Sequence, residues 1–354
     1  MELEAPIRSP LATDGSRIFF VTRDGLLHAL ERATGRSAWV QAVPEGSTVA
    51  ASAALVVVRH PDGHVVARDA ASGMPRWKAR SGVSGNLAPV IDGDQVLVAG
   101  LGISALRLAD GRLIWGAPGT PALTAPPVSS AGRVLVAEAG GVLRCRERST
   151  GMPLWSFDAG AEVLAAPASD GRSVFFGTAG RSFLSVDLEK GRRRWRRRLG
   201  ADVHDPALVV DDLVIFASLE AVLYALNKGN GHLTWRRPLP SRPLGGPVPL
   251  ETTALIATRD TDILGFVAAD GRRLGRTQTS AELVTPPLVL EDQLVLGQRN
   301  PWSLTVMGLD LTPRIPGRRR QEGAERRGRP ASTPADEPER SASGKPERPA
   351  SPEP

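Results

Sequence analysis

A single cysteine, Cys145, and a single tyrosine stand in a chain of 354 residues. One cysteine cannot form an intrachain disulfide, so a disulfide-stapled scaffold is excluded and cysteine usage leaves the compartment open. Aromatic residues make up only 5% of the chain, which makes the placement of each one informative. No uninterrupted apolar run approaches the ~18 residues that a membrane-spanning helix needs, so no transmembrane segment is expected. The opening Met1-Glu2-Leu3-Glu4-Ala5-Pro6 has no basic start, apolar core or lipid-attachment cysteine, and no signal peptide or lipobox is read in it. The net charge of +6 is spread thinly, with +3 on residues 1–312 and +3 on residues 313–354. A nearly balanced body of this kind argues against a specific nucleic-acid binder.

What is abundant is turn chemistry. Gly and Pro number 37 and 30, and hydrophobic residues reach 41%, a mixture suited to many short strands joined by tight turns. The length allows either two ordinary domains or one large β architecture, and the spacing of tryptophan decides between them. Trp39, Trp77, Trp115, Trp155, Trp195 and Trp235 lie 38, 38, 40, 40 and 40 residues apart. Four residues before each stands a glycine: Gly35, Gly73, Gly111, Gly151, Gly191 and Gly231. A seventh unit keeps Gly271 but has Gly275 in the aromatic place. Ten residues before each aromatic position lies a small side chain (Ala29, Ala67, Ala105, Cys145, Ser185, Ala225 and Gly265), so this slot selects for size.

Short β-branched runs at 18–22, 55–58, 96–99, 134–137, 174–178, 213–218, 254–258 and 294–298 are equivalent within these units. They are too short and continuous for amphipathic helices and read as buried strands. Eight runs imply eight units. No such unit covers its own apolar faces, and sheets stacked around an axis solve that problem. The expected fold is therefore all-β: an eight-bladed propeller of four-stranded antiparallel blades over residues 1–312. The eighth unit lacks its last strand, and residues 1–8 are expected to supply it, although they match the pattern poorly. A start placed too far downstream would account for both that gap and the missing export signal.

The pattern small-x-[Asp/Glu/Asn]-x-x-[Thr/Ser/Asn]-Gly-x-x-x-Trp appears at 29–39, 67–77 and 225–235. It resembles the tryptophan-docking repeat of the pyrroloquinoline-quinone-type propellers across nearly all of residues 5–311. The resemblance implies that each tryptophan packs on the adjacent blade and that the paired glycine makes room for it. One branch of that family holds quinone-dependent alcohol and sugar dehydrogenases. The other holds the non-catalytic propeller lipoprotein of the bacterial outer-membrane β-barrel assembly complex. Alcohol-oxidising members hold their quinone under a ring of adjacent disulfide-bonded cysteines with calcium nearby, and a lone Cys145 cannot build that clamp. The resemblance thus implies a protein-binding scaffold of the periplasm or cell envelope, without catalytic residues, cofactor or metal, working as a monomer. A quinone- and calcium-dependent oxidoreductase and a carbohydrate- or polymer-binding propeller are the alternatives.

Four groups of residues carry other chemistry. Cys145 sits in the small-residue slot and reads as core rather than as a reactive thiol. His60 and His64 flank Pro-Asp-Gly, which is turn chemistry first and a metal-ligand set second. His204 and Asp205 lie in the link between units five and six. In a meander of four strands that link and the His60 turn open on one end, a face for partners. Arg192, Arg194, Arg196 and Arg198 surround Trp195 on an outermost strand, and simple alternation would aim all four one way. They read first as a charged edge that resists pairing and second as a patch for an anionic partner. Residues 313–354 hold nine prolines and no aromatic residue, too little apolar surface to offset the entropy of ordering, so a disordered Pro/Arg/Glu/Ser-rich tail is expected.

Overall fold

The computed structural model describes residues 1–290 and 293–308, and the expected disordered tail at 313–354 lies outside them. Among the described residues every regular element is a strand, and none is a helix long and apolar enough to cross a membrane. The strands form eight antiparallel sheets at 12–42, 48–80, 90–122, 128–158, 168–198, 208–238, 248–278 and 282–308, numbered here as blades one to eight. Blade four shows the plan. Val128–Ser130 starts the meander, Arg133–Glu138 and Val142–Glu147 follow, and Pro153–Asp158 ends it. Seven of the eight β-branched runs fall in the second strand of their blade, 18–22 and 254–258 running one residue past it, and the eighth falls in Gln293–Arg299, which follows Leu288–Leu290.

Burial explains the pattern of residue types along a blade. The second strands are nearly continuous in buried residues, as in Ser173–Thr178, because both faces meet neighbouring sheets. The fourth strands alternate between exposed and half-buried residues, as in Pro153–Asp158, because one face is wet. The core is therefore a series of inter-blade layers. Between blades five and six, Phe183 lies flat on Phe216 with centroids 3.7 Å apart, and Phe175, Trp195 and Tyr224 pack around them.

The turn before each tryptophan follows from the motif. Asp69 Oδ1 accepts from the Ala71 and Ser72 amides at 3.1 and 2.9 Å, and Asn227 Oδ1 does the same for Gly229 and Asn230 at 3.0 and 3.2 Å. Such side-chain capping is why Asp and Asn occur there. The turn closes when Gly73 N donates to Asp69 O at 2.8 Å, with Gly73 at φ +71°, a conformation open to glycine at little cost.

Two blades depart from the plan. In blade three, the second and third strands follow each other without a break as Gln95–Arg107, which pairs with Val90–Asp92 and with Leu113–Ala122. Leu108 N nevertheless donates to Asp94 O at 2.8 Å, as Arg32 N does to Ser16 O in blade one, so the run doubles back on itself around Gly102. In blade eight, Ser303–Gly308 is followed by no further described strand, and the chain's first residues take that place. Glu2 pairs antiparallel with Ser303. Leu3 N donates to Trp302 O at 2.7 Å, Leu304 N donates to Met1 O at 3.0 Å, and the Met1 ammonium donates to Leu304 O at 3.0 Å. Three residues, rather than eight, close the ring. Ile7 already belongs to blade one, where it pairs with Thr22.

Candidate functional site

The six tryptophans sit on the seams between blades. Trp39, Trp77, Trp115, Trp155, Trp195 and Trp235 each donate the indole N–H to a carbonyl of the next blade, at Ala70, Leu108, Arg148, Leu188, Lys228 and Ala268, over 2.7 to 3.1 Å. Three residues beyond each acceptor lies a glycine under the ring. A Cβ added at Gly73, Gly111, Gly151, Gly191, Gly231 or Gly271 would fall 2.3 to 2.8 Å from an indole carbon, closer than any side chain tolerates. On the same blade the small slot lies directly opposite the ring, with Ala29 facing Trp39, Cys145 facing Trp155 and Ser185 facing Trp195. Size is restricted on both sides of the indole. Gly275 leaves the seventh blade without such a ring, and its outermost strand, Arg273–Gln278, is exposed throughout. The seam from blade seven to eight is instead aliphatic, built on Leu250, Leu255, Ile263, Leu283, Leu294 and Leu296.

The links between blades and the turns after the second strands occupy one end of the ring. Ser81 N bonds Gly63 O at 2.9 Å, Gly85 N bonds Pro61 O at 3.2 Å, and Leu199 N bonds Arg181 O at 2.9 Å. His60, His64, His204 and Asp205 all lie on this end but not together. His64 Nδ1 is 2.8 Å from Asp62 Oδ2 and its Nε2 accepts from Arg80 Nε at 3.3 Å, so both ring nitrogens are engaged and the Arg80 guanidinium stands where a cation would have to approach. Burial pulls the His60 pKa below the ordinary imidazole range, against the opposing charge of Asp62. Asp205 is half-buried beside His204 and Arg259, and desolvation raises its pKa. Among the described residues no three His, Cys, Asp or Glu side chains are grouped as a metal site.

The same end contains a residue to which the repeat gives no role. Arg59 is 1% exposed and stands where blades one, four, five, six and seven have Val21, Ala137, Gly177, Ala217 and Ala257. Its guanidinium donates to Leu87 O at 2.7 Å and to Val83 O at 3.4 Å, lying against Gly85 and Gly100. Burial lowers its pKa to about 10, which leaves it charged at neutral pH. It braces the link from blade two to blade three through backbone carbonyls. The visible signal was an arginine ending the apolar run Leu-Val-Val-Val-Arg.

The arginine-rich strand Arg193–Arg198 departs from simple alternation. Trp195 pairs with Ser185 but Arg193 pairs with Val186, so Arg194 is an extra, bulged residue. Arg192 precedes the strand. Arg194 is tied to Asp187 at 2.6 Å and Arg196 to the Ser182 hydroxyl at 2.9 and 3.0 Å. The expectation that Arg192, Arg194, Arg196 and Arg198 share one face is thus corrected: the register puts Arg193, Arg196 and Arg198 on one face, and Arg197 with Trp195 on the other.

The outer rim of blades three and four also exposes apolar side chains. Leu113 and Ile114 are 58% and 39% exposed, and Met152 and Leu154 are 63% and 49% exposed. Met152 follows Gly151, which lies under Trp115 of the preceding blade.

The family model described as outer membrane protein assembly factor BamB matches residues 1–122, 102–243 and 197–332. The chain belongs to that family. BamB of Bordetella pertussis is 25% identical over 320 residues, covering 83% of this chain and 81% of that protein. BamB of Yersinia pestis is 25% identical over 247 residues, and the matched stretch spans 65% of this chain but little more than half, 56%, of that relative. Among solved structures, BamB from Moraxella catarrhalis superposes with a TM-score of 0.71 at 18% identity, covering 87% of this chain and 99% of that one. The quinohemoprotein alcohol dehydrogenase of Comamonas testosteroni superposes at 0.64 with 14% identity, covering 84% and 71%. At such identities the structural likenesses carry the fold alone. Cys145, the single cysteine of the sequence, is buried opposite Trp155.

Proposed function

We propose that this chain is a non-catalytic, protein-binding scaffold of the bacterial cell envelope that serves outer-membrane β-barrel protein assembly, and that it needs no cofactor or metal. The reading is carried by the family match along the propeller. It is supported by the exposed apolar side chains Leu113, Ile114, Met152 and Leu154 on blades three and four, since large apolar side chains left in water on a rigid surface favour a protein partner. The mechanism is rigid display: the docked blades hold the rim and the loop end in fixed positions, so little ordering entropy is lost on binding.

The test is affinity capture from a cell-envelope extract with the wild type and with a Leu113→Ser, Met152→Ser, Leu154→Ser variant. Capture of a β-barrel assembly component by the wild type, reduced in the variant, is expected. Saturable quinone binding with calcium, accompanied by dye-linked oxidation of an alcohol or sugar, would overturn the reading in favour of an oxidoreductase.

A further inference from the structure

Charge is distributed unevenly around the outside of the propeller. From the docking glycine to the end of the outermost strand, 191–198, 231–238 and 271–278 of blades five, six and seven hold eleven arginines and no acidic residue. The same stretches of blades three and four, 111–118 and 151–158, hold one arginine and one aspartate, so the basic character belongs to one side of the ring. The three basic strands are consecutive, since Trp195 docks on blade six and Trp235 on blade seven. Arg196, Arg236 and Arg276 pair with Leu184, Tyr224 and Leu264 at one register position, and together they form a row that crosses all three blades. Arg237 spans the gap from blade six to blade seven, donating to Gly271 O at 2.7 Å and to Asp270 O at 2.9 Å.

Much of this charge is unneutralised. Arg194 and Arg276 are paired with Asp187 and Asp262, but among the described residues Arg192, Arg193, Arg197, Arg198, Arg272 and Arg273 have no side-chain partner. Protection of a sheet edge does not require such an excess. The outermost strands of blades three and four dock through Trp115 and Trp155 in the same way, yet they present Leu113, Ile114 and Leu154 to water. Two leucines also lie among the arginines, Leu233 and Leu274, 38% and 53% exposed. The aromatic residues of these strands, Trp195 and Trp235, are buried in the seams, so they offer no open face on which a nucleic-acid base could stack. A layer of lipid phosphates, by contrast, attracts arginines and accepts aliphatic side chains at its headgroup boundary.

We propose that the outer wall of blades five to seven is a docking face for the surface of an anionic lipid bilayer. The partner-free arginines meet the lipid phosphates, and Leu233 and Leu274 enter the headgroup layer between them. The charges run across three blades, an extent that a laterally fluid layer of phosphates can follow. The proposal stands on the charge distribution and not on the assembly role, so each can fail without the other.

The test is cosedimentation of the full chain with vesicles of phosphatidylcholine, alone or with about 30 mol% phosphatidylglycerol, at about 0.1 M salt. Binding is expected on the anionic vesicles alone. Arg192→Glu with Arg272→Glu should lower the partition coefficient about tenfold or more. Arg36→Glu with Arg112→Glu is the matched comparison: both residues directly follow a docking glycine, in blades one and three, and the net charge changes equally. That pair should lower partitioning less than about twofold. Both proteins keep residues 309–354, so basic residues there contribute equally to each. A second readout needs no charge change: an NBD fluorophore attached at Leu274→Cys should brighten on anionic vesicles, and one at Leu113→Cys should not. Equal loss in the two double variants, equal binding to neutral vesicles, or equal brightening at 113 and 274 would each overturn the proposal. Tighter binding to duplex DNA than to the vesicles at matched phosphate concentration would assign the arginines to a nucleic acid and overturn it as well.

Discussion

Trp115 and Gly151 meet across the seam between blades three and four, with the indole N–H on Arg148 O at 2.7 Å and the Gly151 Cα so close beneath the ring that an added Cβ would sit 2.3 Å from Cε3. The pair joins two costs that a substitution would incur together. Truncating the ring empties a buried apolar contact and strands a carbonyl, whereas enlarging the glycine collides with the ring and strains a backbone at φ +71°.

Removing one wedge is accordingly expected to loosen the ring measurably. Trp155→Ala, which vacates the seat on Gly191 and the bond to Leu188 O at 2.9 Å, should cost roughly 3 to 5 kcal/mol, nearer the lower figure because the ring is half-buried. Thermal unfolding is the measurement. A melting temperature equal to that of the wild type would contradict the docking role.

Cys145 is expected to be chemically silent in the folded protein. Burial raises its thiol pKa to about 11, so the nucleophilic thiolate is scarce at neutral pH and reagents have no access. Ellman's reagent should report no free thiol at pH 7.5 until denaturant is added, and then one per chain.

Acid should weaken blade one through His28. Its ring stacks on Phe20 at 5.0 Å between centroids and its Nε2 is 3.1 Å from the Thr22 hydroxyl, and desolvation lowers its pKa below the ordinary 6.5. Below that ordinary value the unfolded chain takes up a proton that the folded ring resists, so this contribution to stability is full above about pH 6.5 and shrinks as pH falls. The half-buried His60 acts in the same direction. The melting temperature should drop between pH 7 and pH 5, and His28→Gln should flatten part of that drop. A slope unchanged by the substitution would remove His28 from the account.

Charge on the outer strand of blade five offers a separate test. Arg193→Glu, Arg196→Glu and Arg198→Glu together reverse the face that the bulge assembles while leaving the Arg194 tie to Asp187 intact. We expect loss of retention on vesicles containing anionic lipid at low salt. Equal retention of wild type and variant would leave these arginines as edge protection alone.

The blade count and the seams were legible because the repeat exposes its own constraints. Trp, Gly and the small slot recur at fixed offsets, and each offset corresponds to one contact in the structure. The bulge at Arg194 was not legible, since one extra residue in a strand leaves every residue type unchanged while rotating half the side chains. Arg59 escaped for the opposite reason. It breaks the repeat at one position, and its carbonyl partners at Val83 and Leu87 come from a link whose path the sequence does not encode locally.

Ring closure sets the order of events in biosynthesis. The bond between Met1 N and the Leu304 carbonyl spans 303 positions, so the contact that closes the ring waits for blade eight to be made. Until residue 304 has cleared the ribosome, seven growing blades form an open arc with bare edges at both ends, the situation in which long-range β pairing is slow and prone to mispairing. A protein that escorts such an arc, or a slower passage of the ribosome over the final blade, would change the yield of folded rings without altering the finished fold.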